Sequence, residues 1–331
     1  MGRRRKPIRR AVAAYLTLAA AGVFRLLPLS WSRVLARGLG RLAYYLVPRI
    51  RSVGFANLDL AYGDGLSRAE KRRILRASVD NVALVAAEFV HMTACARAGF
   101  AGQVRIAGLE KVDPQNGVLF VGGHLGNWEW MGPAFGSRGN KVAEVVRPLD
   151  HPRLNDFVDA FRGANHVRTI PKDAAGAEVL RLLRAGWTMG ILIDQAPREN
   201  GVPVEFFGAP CWATAAPALV AARARVPIHL IAMIRQPDGR YVMEVHPPVP
   251  LVRTGDFTAD LAENTQRCQA AFEAVVRAHP EQWLWFHRRW KKRGGLEREW
   301  AARMKKRQNR APGQAEAGGA ATDSKKEEPH V

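Results

Sequence analysis

The sequence predicts an α/β protein, a single domain with a mixed, largely parallel sheet flanked by helices and preceded by N-terminal membrane-associating helices. Three observations carry this reading. Short apolar runs of strand character alternate with amphipathic helical stretches through the middle of the chain, two such runs are joined by a Pro-Asp-Gly turn, and the chain opens on an apolar stretch bracketed by arginines. Alternation of strand and helix patterns implies a parallel or mixed sheet covered by helices.

The elements follow in order. MGRRRKPIRR leads directly into AVAAYLTLAAAGVFRLLPLSW, an apolar run interrupted mainly by Thr17, Arg25 and Pro28. That run stands near the lower limit for a spanning helix, about 20 apolar residues. From Ser30 to Val47, Arg33, Arg37 and Arg41 recur on one helical face, while Leu35, Leu39, Leu42 and Leu46 fall on the other. This is the pattern of a helix lying in a membrane interface. Bases on both sides of the apolar run favour keeping both flanks cytoplasmic, which argues against an exported signal. Residues 1–50 therefore read as a basic N-terminus with an anchor that dips into the inner leaflet and returns, or as a short span. A core helix pair of a soluble protein is the alternative.

Residues 51–310 read as one α/β domain. LSRAEKRRILRASVDNVALVAAEFVHM is a long amphipathic helix, and QVRIAG, GVLFVGG, KVAEVV and TMGILID are strand-like runs. HPRLNDFVDAFRGAN and AAGAEVLRLLRAG are helical, the second ending at a glycine suited to a C-cap. VPIHLIAMIRQPDGRYVMEVHPP predicts two strands around a PDG turn, an antiparallel hairpin expected at the sheet's edge. A last helix, roughly Thr258 to Ala278, precedes the aromatic and basic PEQWLWFHRRWKKR. Residues 311–331 lack apolar periodicity and read as a disordered tail.

Of the formal net charge of +20, residues 1–10 supply +6 and residues 288–310 supply +9. So uneven a distribution points to a polyanionic surface, nucleic acid or the anionic face of a membrane. The 47% hydrophobic content excludes a disordered chain. Cys95, Cys211 and Cys268 are far apart and odd in number, which argues against a disulfide framework or zinc site and for a reducing compartment.

The stretch with chemical content is GGHLGNWEW, residues 122–130. His124 follows a strand end, where α/β sheets place their ligands, and the glycines leave room for a substrate to approach the backbone amides. In an ideal helix a spacing of five sets side chains about 140° apart, so His124 and Glu129 can meet only if His124 precedes the first turn. A carboxylate holding Nδ1–H would leave Nε2 as a general base. No serine or cysteine lies nearby in sequence, so the natural target of such a base is a hydroxyl on the substrate. On the spacing alone, a satisfied core histidine remains an equal reading.

HLGNWE, VVRPLDHPRLNDF, ILIDQ, VEFFGAPCWAT and PEQWLWFHRRWK together resemble the bacterial lipid A biosynthesis acyltransferases of the late, lauroyl and myristoyl type. These lie within the lysophospholipid and glycerolipid acyltransferase superfamily, whose mark is a histidine and an acid with four residues between. The resemblance runs in the family's order to about Arg293. It implies a glycerol-3-phosphate acyltransferase-like fold, with His124 as general base and Glu129 as the carboxylate orienting it. It also implies acyl carrier protein as donor, no acyl-enzyme intermediate, no cofactor and no metal.

The resemblance further places Arg147 near the acceptor headgroup or oxyanion, and Asp194 at a family acidic position. Asn127, within HLGNWE, is counted with the substrate-binding residues. His287, Arg288 and Arg289 are candidates for the phosphates of a lipid A precursor. The expected partners are acyl carrier protein, an anionic glycolipid and the inner membrane surface, with the catalytic domain on the cytoplasmic side and no nucleic acid bound. Trp283, Trp285, Trp290 and Trp300, interleaved with bases, suit a headgroup region, or a domain core in the case of Trp283 and Trp285. Other lysolipids or glycolipids, such as a phosphatidylinositol mannoside, remain open as acceptors. A nucleic-acid-binding protein would explain the charge but leave the apolar run and HLGNWE idle, and a metal hydrolase lacks an HExxH-type cluster.

Overall fold

A computed structural model describes residues 2–113, 116–146, 149, 151–163, 167–171, 175–197, 201–291 and 295–310, with backbone alone at 2–10 and 306–310. The expected tail at 311–331 and Arg147 lie outside the described residues. Residues 1–291 form one compact unit and residues 292–331 a second, whose described part includes the helix α11 (Leu296–Arg310).

Five helices open the chain: α1 (Gly2–Leu26), α2 (Leu29–Leu46), α3 (Pro48–Tyr62), α4 (Arg68–Phe89) and α5 (Met92–Arg97). The sheet is built from β1 (Val104–Ala107), β2 (Val118–Gly122), β3 (Val142–Val146), β4 (Val167–Pro171), β5 (Thr188–Leu192), β8 (Ile228–Arg235) and β9 (Tyr241–Pro248). Interleaved with these are α6 (Trp128–Gly136), α7 (Pro152–Gly163), α8 (Ala175–Arg184), α9 (Ala216–Ala224) and α10 (Phe257–Ala278). A separate hairpin pairs β6 (Gly201–Phe206) with β7 (Ala209–Thr214) around Phe207 and Gly208. Both turn residues have positive φ, 52° and 72°, as a two-residue hairpin turn twisted to match its strands requires.

The seven strands run in the order β1-β9-β8-β2-β5-β3-β4. Only the β8–β9 pairing is antiparallel, so the sheet is mixed and largely parallel as expected. The β8–β9 hairpin, expected at the edge, is instead inside the sheet, because β1 pairs with β9 and β2 with β8. β2 is buried along its whole length, which is why its sequence is an unbroken apolar run rather than an alternating one. Leu119 and Val121 pack with Leu182, Leu183, Phe272 and Val276 on one face of the sheet. Val118 and Phe120 pack with Trp130, Met131 and Phe135 on the other. Helices thus cover both faces, and HLGNWE emerges at the carboxyl end of the central strand.

Helix α4 begins with a complete capping box, Ser67 accepting from the Glu70 amide and Glu70 returning a bond to the Ser67 amide. Such a cap stabilises a helix by about 1 kcal/mol. Helix α2 packs closely on α4 through a seam of small side chains, with Ser32, Ala36 and Gly40 buried, and a Cβ at Gly40 would stand 3.0 Å from that of Ala83. The apolar stripe of α2 faces away from this seam: Trp31, Leu35, Leu39, Leu42 and Leu46 are all exposed, Leu46 by 68%. Among the described residues no helix is long and apolar enough to cross a membrane, so the expected short span is not found. Its physical cause is the composition of α1, where an apolar middle too short to span follows the dense run of bases in residues 3–10.

Candidate active site

His124 and Asp194 are brought together by strand register. β2 and β5 are parallel neighbours with Gly122 opposite Leu192, and each chain continues two residues further to reach His124 and Asp194. Asp194 is fully buried and accepts from three donors. His124 Nδ1 meets its Oδ1 at 2.8 Å, the His124 backbone N–H donates to Oδ2 at 2.9 Å, and Trp283 Nε1 donates to Oδ2 at 3.0 Å. The carboxylate on Nδ1 is therefore Asp194 and not Glu129, and Asp194, expected to bind substrate, is buried behind the His124 ring.

Burial opposes charge on the imidazole, but the Asp194 carboxylate, by its charge and its hydrogen bond, and then Glu129 by its charge, hold His124 above its ordinary value. Burial likewise opposes the Asp194 charge, and His124, His287 and the Trp283 bond overcome it, keeping this carboxyl well below the usual carboxylate range. Nδ1–H therefore points at Asp194, leaving the Nε2 lone pair toward the partly exposed side of the ring.

Glu129 turns elsewhere. With Asn127 as N-cap of α6, Glu129 is in the first turn, and its carboxylate accepts from Arg162 Nη2 of α7 at 3.1 Å and 3.3 Å and from Trp128 Nε1 at 3.1 Å. Beyond Arg162 lies Glu144 of β3, which burial raises to about 7 against the pull of Arg162 and with the repulsion of Glu129. Arg162 thus acts on two carboxylates, bonding to Glu129 and lowering Glu144 by its charge alone.

Asn127, expected among the substrate-binding residues, is wholly buried. Its Oδ1 accepts from the Trp130 amide at 3.2 Å, and its Nδ2 donates to Glu88 at 2.8 Å. Glu88 of α4 is itself fully buried and takes Arg235 Nη1 at 2.7 Å, Arg33 Nε at 2.7 Å and the Tyr241 hydroxyl at 2.5 Å. This buried charge cluster joins α2, α4, β8 and β9 to the cap of α6.

The glycines of the motif serve the core. A Cβ at Gly123 would collide with the Phe272 ring, and one at Gly126, where φ is +60°, with the Met233 carbonyl. The expected room for substrate at the backbone is absent there, because β8 and α10 fill it. The terminal aromatic block forms the wall behind the turn: Leu284 N–H donates to the His124 carbonyl at 3.1 Å, and Gln282 accepts from the Gly126 amide at 3.1 Å.

Trp283 and Trp285 are fully buried, as core aromatics rather than headgroup anchors. Arg289, expected at the lipid phosphates, is likewise fully buried, donating to the Trp212 carbonyl at 2.7 Å and to Gln269 at 2.8 Å. His287 faces two backbone carbonyls, those of Leu284 and Asp194, at 2.6 Å and 3.1 Å. Arg288 is exposed. Among the described residues no three His, Cys, Asp or Glu side chains are grouped to hold a metal.

Sequence reading located His124 but not its partner. The signal for Asp194 was present: GGH and LID both stand just past the ends of apolar runs, and neighbouring parallel strands bring such positions side by side.

The sequence profile described as bacterial lipid A biosynthesis acyltransferase matches residues 3–292. Among solved structures, the chain is similar to the 1-acyl-sn-glycerophosphate (LPA) acyltransferase PlsC from Thermotoga maritima, at 14% identity over 76% of this chain and 99% of that one, with a TM-score of 0.37. No curated protein matches the chain.

Proposed function

The chain belongs to the bacterial lipid A biosynthesis acyltransferases, and from that premise we propose that it moves a fatty acyl chain from acyl carrier protein to a hydroxyl of a lipid A precursor or related anionic glycolipid. The observation that carries the mechanism is the His124–Asp194 pair, with Nδ1–H held at 2.8 Å and Nε2 left as the basic nitrogen. Nε2 takes the proton of the acceptor hydroxyl as its oxygen attacks the thioester carbonyl. The tetrahedral oxyanion collapses with breakage of the C–S bond, and the imidazolium returns its proton to the departing thiolate. Among the described residues no serine or cysteine is within hydrogen-bond reach of the His124 ring, which supports direct transfer without an acyl-enzyme. Glu129, tied to Arg162, supplies negative charge beside the base and anchors the arginine that faces the site. Arg147 and the exposed Arg288 are the proposed contacts with the acceptor's phosphates.

The same reading places the protein at the cytoplasmic face of the inner membrane. Support comes from α2, which exposes its leucine stripe beside a row containing Arg37 and Arg41. Apolar side chains can enter the headgroup boundary while bases meet anionic lipid. A Leu35→Ser, Leu39→Ser, Leu42→Ser triple variant is expected to leave the folded unit intact and to shift the protein from the pelleted to the soluble fraction when mixed with anionic vesicles. Unchanged co-sedimentation would place the contact elsewhere.

Transfer itself is tested with radiolabelled lauroyl-acyl carrier protein and a lipid extract from Gram-negative inner membranes. Label should enter glycolipid with the wild type and be lost with His124→Ala and with Glu129→Ala. Turnover near wild type in His124→Ala would remove the mechanism.

A further inference from the structure

The turn that follows β2 cannot cradle an oxyanion through its own amides. His124 N–H is held by Asp194, and those of Leu125, Gly126 and Asn127 by the carbonyls of Gly123, Gln282 and Met233 at 2.7 Å, 3.1 Å and 3.0 Å. The Trp128 indole, whose ring stands against that of His124, and Nη2 of Arg162 are engaged by Glu129. With the four amides of this turn engaged, a side-chain donor is the alternative for the charge that develops on the attacked carbonyl.

One already stands at the base. Gln195 follows Asp194, is exposed, and holds its Nε2 at 3.4 Å from Nε2 of His124. Since Nδ1–H points to Asp194, His124 presents a lone pair at Nε2, and the Gln195 amide meets it with an N–H. A hydroxyl that is to give its proton to Nε2 must take the place of that amide, within about 3 Å of the same nitrogen. The displaced amide is then one side-chain rotation away from the carbonyl carbon that the hydroxyl attacks.

We propose that Gln195 caps the catalytic base in the empty site and, once displaced by the acceptor hydroxyl, donates its amide N–H to the oxyanion of the tetrahedral intermediate. This rests on the acyl-transfer reading above. The proton still passes from hydroxyl to Nε2 and on to the leaving thiolate, and Gln195 exchanges none. Capping also keeps water off Nε2 when no acceptor is bound, a safeguard against hydrolysis of the thioester.

The test uses the full-length protein, lauroyl-acyl carrier protein and the inner-membrane lipid extract, with Gln195→Ala and Gln195→Glu beside the wild type. Loss of an oxyanion donor is expected to lower kcat about 100-fold while KM for the donor stays within about threefold. Gln195→Glu cannot donate and would stabilise the imidazolium, so its kcat should fall equally and the acid limb of its pH profile should move up. Titration of the His124 ring by NMR, which needs no substrate, should rise in Gln195→Ala, since a neutral donor into Nε2 disfavours protonation. A kcat within threefold of wild type in Gln195→Ala would overturn the proposal. A wild type that transfers nothing would strike the acyl-transfer reading instead, and in that event an unmoved His124 titration in Gln195→Ala would by itself overturn the capping contact.

Discussion

Asp194→Asn is expected to lower kcat by about 10⁴-fold while the fold survives, the scale seen when the aspartate of a hydrolase triad becomes asparagine. The reason lies in the donors that the carboxylate receives. Oδ2 accepts two N–H groups, from the His124 backbone and Trp283, and Oδ1 accepts one from the imidazole. An asparagine satisfies the larger demand by placing its single oxygen at the Oδ2 position, which leaves its NH₂ facing Nδ1. The ring must then carry its proton on Nε2, the atom that has to act as base. The pH profile gives a second reading. With Asp194 present, His124 titrates above its ordinary value of 6.5, so activity should fall with decreasing pH through a midpoint above that value. Without the carboxylate, burial is less opposed and the residual activity should hold to lower pH. A variant within tenfold of wild type, with an unmoved acid limb, would show that Asp194 does not hold the base.

Glu88→Ala is expected to be the most destabilising single change, about 3–5 kcal/mol, or roughly 10 °C in Tm. It leaves Arg33 and Arg235, exposed by only 18% and 10%, without their shared carboxylate. Burial alone would raise the Glu88 pKa, but Arg235 by bond and charge, then Arg33 and Tyr241, hold it below its ordinary value of 4.5. A depressed carboxyl contributes its full stability above that ordinary value and loses it as pH falls through the lower, folded one. The deficit of the variant should accordingly be largest at neutral pH and shrink in acid. Because a buried pair removed whole can be nearly neutral, Arg33→Met and Arg235→Met on the Glu88→Leu background should recover part of the loss. A Tm within 2 °C of wild type for Glu88→Ala, measured by thermal unfolding at pH 7, would refute the account.

The architecture was legible because its signals are local and repeated. β2 reads as a buried strand from GVLFVGG, and α4 as a helix from its amphipathic period. The position of the hairpin β8–β9 was not legible, since strand order depends on what covers an edge, and β1 is too short to announce its partner. In the site, His124 stood out because glycines and a strand end precede it. Arg162 and Glu88 did not, and Asp194 was named without its bond to His124, because each acquires its meaning from a residue at least 33 positions away. Arg289 misled for a related reason: in sequence it belongs to a run of bases, and only packing against Phe206, 5.1 Å from its guanidinium, and the Trp212 carbonyl reveals a core residue. The outward leucines of α2 show the converse. Amphipathicity identified the two exposed faces, while the buried face runs through Ser32, Ala36 and Gly40 to Tyr44, a row that no hydrophobic count selects.

The register of β2 and β5 sets which parts of the chain are free to change length. The base and its aspartate each stand two residues beyond paired ladder positions, Gly122 and Leu192, so their separation is set by the distance between neighbouring strands. One residue inserted between Leu192 and Asp194 would turn the carboxylate toward the opposite face of the sheet and disconnect it from His124. The same insertion after Gln195 would leave the pair untouched. Changes in length beyond Gln195 can therefore accumulate while the spacing of His124 and Asp194 stays constant, so the outer loop and the buried pair drift independently.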